Sequence, residues 1–127
     1  MQFLDELRWR GLIHQHTPGV EDLLNNGPIT GYCGFDPTAP SLHMGNLAQI
    51  ITMSRFQRAG HTPIALVGGA TGLIGDPSGK SEMRKPLTRE AVLENAKTYR
   101  EQIYKILDAK RTRVVFNSEW MGSMKAE

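Results

Sequence analysis

Between residues 32 and 46 the chain gathers a phenol, a thiol, a carboxylate, a hydroxyl, an imidazole and an amide: Tyr32, Cys33, Asp36, Thr38, His43 and Asn46. They fall where an apolar run, a bend punctuated by Pro37 and Pro40, and the start of an amphipathic pattern meet. That order reads as strand, bend and helix N-terminus. A first helical turn has unpaired backbone N–H groups and the positive end of the helix dipole, so such a junction suits a phosphate. Hydroxyl, imidazole and amide groups suit the same task. Ligands of open α/β sheets bind at the carboxyl ends of strands, where these residues stand. A second polar stretch follows over residues 65–80, where Gly68, Gly69, Gly72, Gly75 and Gly79 surround Thr71 and Asp76. Lys80, Arg84 and Lys85 then make the chain basic.

The elements that must position these groups are legible in outline. Phe3, Leu4, Leu7 and Leu12 space out as an amphipathic helix, with Gly11 able to end it. A short helical turn over 22–25 closes at Asn26, Gly27 and Pro28. Residues 29–35 read as a first strand. Over 45–59, Leu47, Ile50, Ile51 and Ser54 repeat at helical spacing, which predicts that Ile50 and Ile51 face a sheet and that Gly60 stops the helix. Residues 63–67 form a buried-type strand. Thr88 is placed to cap a long helix with a stripe of Val92, Ala96, Tyr99, Ile103 and Ile106, and residues 112–116 make a third strand. Strands joined by helical crossovers predict a parallel sheet, the first half of a Rossmann-like doubly wound α/β fold preceded by a short N-terminal helical segment. The expected division is residues 1–28 for that segment and 29–127 for the half-domain.

Residues 32–45, Tyr-Cys-Gly-Phe-Asp-Pro-Thr-Ala-Pro-Ser-Leu-His-Met-Gly, closely resemble the first signature of bacterial tyrosyl-tRNA synthetases, and residues 65–80 resemble that family's second stretch at the family's separation. One departure stands inside the signature. The family's His-x-Gly-His ends here in Asn46, which keeps a hydrogen-bond donor but carries no charge, so the change bears on rate more than on identity. The resemblance implies the N-terminal part of a catalytic domain whose later strands, Lys-Met-Ser-Lys-Ser type signature and RNA-binding region are not in this sequence. It implies ATP with Mg2+ as a substrate, no tightly bound metal, L-tyrosine and tRNA(Tyr) as partners, and a homodimeric parent. It also implies that the first strand is central in the whole sheet, which leaves its free side here an open apolar edge.

Roles follow residue by residue from the resemblance. His43, Asn46 and Thr38, with Lys80 and Arg84 on a basic loop, are the implied catalytic groups that meet the phosphates. Tyr32, Thr71 and Asp76 are implied to hold tyrosine, by its phenol and its ammonium. Cys33, Gly34, Asp36 and Gly45 are implied to join Thr38, His43 and Asn46 around ATP. Each has a blander reading: His43 as a simple helix cap, Asp36-Pro37-Thr38 as a type I turn, Cys33 as inert packing, Tyr32 as a core tyrosine and Asp76 as a turn residue before Pro77. The signature as a whole favours the functional readings.

Other motifs fall short. Residues 75–81 lack one residue of the P-loop pattern, and Pro77 removes an N–H from the would-be phosphate nest. The glycines do not spell the dinucleotide fingerprint. His14 and His16 stand without a Cys or carboxylate cluster and read as a solvated linker. At 127 residues and 39% apolar, with no run near the roughly 20 apolar residues of a membrane span, the chain holds one modest core. A single cysteine fits a reducing compartment, and a cytoplasmic location is expected. The net charge of +2 is too small to argue for nucleic acid by itself. Two rival functions remain at this point: a small-molecule nucleotidyltransferase with a His-x-Gly-His type site, or a non-catalytic piece that binds nucleotide or tyrosine.

Overall fold

The computed structural model describes residues 2–69, 88–121 and 123–124. Two short helices, α1 (Phe3–Trp9) and α2 (Val20–Asn25), lead into β1 (Thr30–Phe35). Helix α3 (Met44–Arg58) crosses to β2 (Thr62–Val67), and α4 (Arg89–Tyr104) precedes β3 (Arg113–Phe116) and the single turn α5 (Ser118–Met121). The strands form one parallel sheet in the order β1-β2-β3, with Cys33 opposite Ala65 and Ala65 opposite Val114. The expected half of a doubly wound sheet is present.

Both long helices lie on the same face. Side chains alternate along a strand, so Cys33 and Phe35 of β1, Ala65 of β2 and Val114 of β3 share one side. They meet Ile50 and Met53 of α3 and Tyr99 and Ile103 of α4 in a single core. Burying each large side chain there contributes roughly 1.5–3 kcal/mol. The residues between them, Tyr32, Ile64, Leu66 and Val115, occupy the opposite face, and Tyr32 is 75% exposed.

The punctuation works as its chemistry predicts. Gly11 and Gly60 have φ of 67° and 99°, conformations open to glycine, just beyond α1 and α3. Thr88 Oγ1 accepts the Ala91 N–H at the head of α4. Two helical stripes differ from expectation. On α3 the buried residues are Ile50, Met53 and Gln57, while Ile51 and Ser54 are half-buried. Gln57 goes inward because its amide is satisfied there: Nε2 donates to Thr112 Oγ1 at 2.9 Å and to the Asp108 carbonyl, and Oε1 accepts the Asp108 N–H at 3.0 Å. On α4 the stripe holds through Ile103, but Ile106 lies beyond the helix and Leu107 is buried instead. The Leu107 N–H returns to the Ile103 carbonyl four residues back, at 3.0 Å, which keeps Leu107 on the face of Ile103.

Among the described strands β1 is an edge, as the resemblance implied, but its outward residues Thr30, Tyr32 and Gly34 are not an apolar row. The apolar surface lies beside it, in a groove of about 410 Å³ lined by Phe3, Cys33, Met53 and Phe56. A second cluster of Leu4, Leu7 and Leu24, with Phe3, Ile13, Val20, Ile29 and Phe56, fastens α1 and α2 to the amino end of the sheet. Arg8 bridges the two helices through both oxygens of Glu21, at 2.9 and 2.6 Å.

His61 closes that end. It is 4% exposed, stacks on Phe56 with centroids 4.6 Å apart, and its Nδ1 accepts the Ile29 N–H at 3.2 Å. Burial holds its pKa below the ordinary imidazole value, because a charged ring would lose water. As pH falls below about 6.5 the unfolded chain takes up this proton before the folded chain does, so stability falls with pH until the folded ring titrates. Urea titrations at pH 7.5 and 5.5 should show this loss, and it should shrink in His61→Phe. An unchanged pH slope in the variant would assign the loss to other groups.

Candidate active site

The signature residues stand at the carboxyl end of β1 and the amino end of α3. Pro37 is buried, and the Thr38 N–H donates to the Asp36 carbonyl at 2.8 Å, a bond two residues long. The bend is therefore a γ-type turn centred on Pro37, which differs from the type I turn of the blander reading, since proline's fixed φ matches the central residue of an inverse γ-turn. Beyond it, His43 is the N-cap of α3.

The imidazole does two things at once. His43 Nδ1 accepts the backbone N–H groups of Gly45 and Asn46, at 3.1 and 3.3 Å, and Asn46 Oδ1 accepts the His43 N–H at 3.2 Å. This is a capping box with histidine and asparagine in place of serine and glutamate. Since Nδ1 is an acceptor, the neutral ring carries its proton on Nε2. The cap thus fixes the tautomer and leaves an exposed N–H donor on a residue anchored by its own helix. The bland and functional readings of His43 are compatible. Asn46 has its oxygen committed to the cap, and its amide nitrogen lies 3.5 Å from Gln49 Oε1, leaving a second N–H.

Gly45 leaves room for this geometry. A Cβ there would stand 3.0 Å from His43 Cε1 and 3.1 Å from Nδ1, so the ring would have to shift by a few tenths of an ångström within its cap. Gly45→Ala should lower any rate that depends on His43 by up to about tenfold, the order expected for a displaced hydrogen-bond donor, and lower stability by up to about 1 kcal/mol for the weakened cap. Steady-state kinetics and a melting curve on one preparation check both.

Cys33 points into the core side and is half-buried, and burial pushes its thiol pKa up, against a smaller opposing effect of the Gly34 backbone. It stays a protonated S–H at neutral pH, suited to a hydroxyl contact and not to nucleophilic attack. Tyr32 faces away from Cys33, as the strand period requires. A cleft of about 310 Å³ opens at the strand ends, lined by Gly34, Phe35, Asp36, Leu66, Gly68 and Asn117. Next to Gly68, Gly69 packs against Ser118: a Cβ there would stand 2.7 Å from Ser118 Oγ. So Gly34 and Asp36 meet at the cleft, while Thr38, His43, Gly45 and Asn46 line the neighbouring bend and helix start. Thr71, Asp76, Lys80 and Arg84 lie outside the described residues.

Sequence reasoning missed Asn117, a buried polar residue in that cleft, and three α4 residues, Asn95, Tyr99 and Gln102, that touch the signature bend. An asparagine and a glutamine on the flank of the apolar stripe were the available signal.

A parallel sheet with a helix N-terminus, a capping imidazole and a glycine-lined cleft at its strand ends is the frame of a Rossmann-like α/β half-domain, the kind of fold that receives ligands at its strand ends. The family model for tRNA synthetases class I (W and Y) matches residues 24–127, and the chain belongs to that family. It is 57% identical over 108 residues to a tyrosine--tRNA ligase of Geobacter metallireducens, a match covering 84% of this chain and 27% of the relative. A tyrosine--tRNA ligase of Bacteroides fragilis is 48% identical over 126 residues, 95% of this chain and 29% of the relative. The chain therefore spans less than a third of the length of these relatives. A C-terminally truncated mitochondrial tyrosyl-tRNA synthetase of Aspergillus nidulans shares the fold with a TM-score of 0.82 at 24% identity, over 98% of this chain and 39% of that one. The Coccidioides posadasii counterpart gives 0.77 at 26% identity, over 98% and 38%. Among the described residues no helix is long and apolar enough to cross a membrane.

Proposed function

We propose that this chain is the amino-terminal half of the catalytic domain of a tyrosine--tRNA ligase, residues 29–127, led by the helical segment 1–28. The ligase activates L-tyrosine with ATP to tyrosyl-adenylate and then transfers the tyrosyl group to tRNA(Tyr). The observation that carries the reading is the His43 capping box, in a chain 57% identical over 108 residues to a tyrosine--tRNA ligase. Tyrosine's carboxylate attacks the α-phosphate of ATP and pyrophosphate leaves, with no covalent enzyme intermediate. Negative charge grows on the departing phosphates, and rate comes from holding the reactants in line and placing donors where that charge appears.

His43 Nε2–H and Thr38 Oγ are the donors for the phosphates, Asn46 Nδ2 adds a third, and Lys80 and Arg84 supply positive charge from the basic stretch. Gly45, Gly34, Asp36 and the Cys33 thiol border the nucleoside. Tyr32 meets the substrate's phenol, and Thr71 and Asp76 hold its ammonium. Magnesium arrives on the ATP phosphates as part of the substrate. A homodimeric, cytoplasmic parent is part of the same reading. The relatives' shared identity favours it over a nucleotidyltransferase acting on another small molecule.

The test is a chimera in which this chain replaces the matching segment of the Geobacter metallireducens relative. It should exchange pyrophosphate in an L-tyrosine-dependent manner and support growth of a strain depleted of its own tyrosine--tRNA ligase. Exchange driven equally by phenylalanine would overturn the role of Tyr32, because a phenol partner left unpaired under bound phenylalanine is what rejects it. No exchange at all would overturn the reading.

A further inference from the structure

Residues 36–42 carry Asp36 and Thr38 and deliver His43 to its helix, yet they contain no helix or strand of their own. A bend of that kind needs outside support to hold donors in place. Helix α4 provides it. Asn95, Tyr99 and Gln102 fall at i, i+4 and i+7, one face of a helix. Asn95 Nδ2 donates to the Pro37 carbonyl at 3.0 Å in a buried contact. Tyr99, 1% exposed, sets its hydroxyl against the backbone of Thr38 and Ala39, near the Asp36 carboxylate. Gln102 Oε1 accepts the Leu42 N–H at 2.9 Å, and the Leu42 side chain packs on the core. The three side chains follow the bend in order, from Pro37 to Leu42.

The dimensions agree. Seven helical residues advance about 10 Å, whereas five extended residues can span about 17 Å, so the bend is held short. Apolar residues at 95 and 102 would suit a core stripe better unless the bend's carbonyl and N–H needed partners.

We propose that Asn95, Tyr99 and Gln102 are positioning residues that fix the spacing of Thr38 and His43 for the developing phosphate charge. This deepens the reading given above and rests on it. The bonds are directional, and that makes the inference testable in the same chimera. Gln102 acts as an acceptor, so Gln102→Glu keeps its bond and Gln102→Met loses it. Asn95 acts as a donor, so Asn95→Asp loses its bond while keeping its shape.

Gln102→Met and Asn95→Asp should each cut kcat for pyrophosphate exchange about tenfold with KM for tyrosine within about twofold, and Gln102→Glu should stay within about twofold throughout. Equal activity of the Met and Glu variants, or losses appearing in tyrosine KM, would overturn the proposal. Amide hydrogen exchange at Leu42 in the chimera reads the bond independently of turnover: about tenfold faster in Gln102→Met and unchanged in Gln102→Glu. Absence of that difference overturns the support by α4 even if the chimera proves inactive, whereas an inactive unsubstituted chimera with the difference present overturns only the assigned reaction.

Discussion

His43→Ala in the chimera should slow tyrosyl-adenylate formation by roughly 100-fold or more, the loss seen when one preorganised donor to a developing oxyanion is removed. The structure adds a second consequence. The imidazole also accepts two backbone N–H groups of α3, so the same change removes the helix cap and should cost about 1 kcal/mol of stability. His43→Asn separates the two effects, because its side-chain oxygen can cap the helix while the Nε2–H donor is gone. Rapid-quench measurement of adenylate, with tyrosine affinity from equilibrium dialysis, should show both variants slow, tyrosine affinity nearly unchanged in each, and only the alanine variant less stable. A rate loss in alanine that asparagine fully restores would make His43 a cap and nothing more.

The second large effect concerns the 127 residues expressed alone. They should exchange pyrophosphate at least about 1000-fold more slowly than the chimera, since the phosphate donors act together and the relatives are more than three times as long. The same protein should self-associate as its concentration rises. Among the described residues the outer side of β1 has no neighbouring strand, which makes it a template for another one, and the apolar groove between β1 and α3 adds area to bury. Light scattering across a concentration series measures it. Tyr32→Lys, which puts a charge on the exposed face of that edge, should shift the distribution towards monomer. A monodisperse chain with chimera-like exchange would contradict both the edge argument and the need for further segments.

Much of the architecture is decided locally, and so was readable in order along the chain. Gly11 and Gly60 end their helices because the left-handed conformation required there is open to glycine, and Thr88 caps α4 because its hydroxyl lies three residues from the N–H that it accepts. The three described strands are short runs bounded by turn residues, and the signature from Tyr32 to Asn46 stands in one continuous stretch. What only the tertiary structure decided depends on residues far apart in sequence. Gln57 faces inward because Asp108 and Thr112 wait there, against a pattern that favoured Ile51 and Ser54. The bend from Asp36 to Leu42 takes its shape from Asn95 and Gln102, 58 and 60 residues away from the backbone atoms they hold. Periodicity reports which side of a helix is apolar. It cannot report a polar side chain buried for the sake of one distant partner, because the free energy of that choice exists only when the partner is in place.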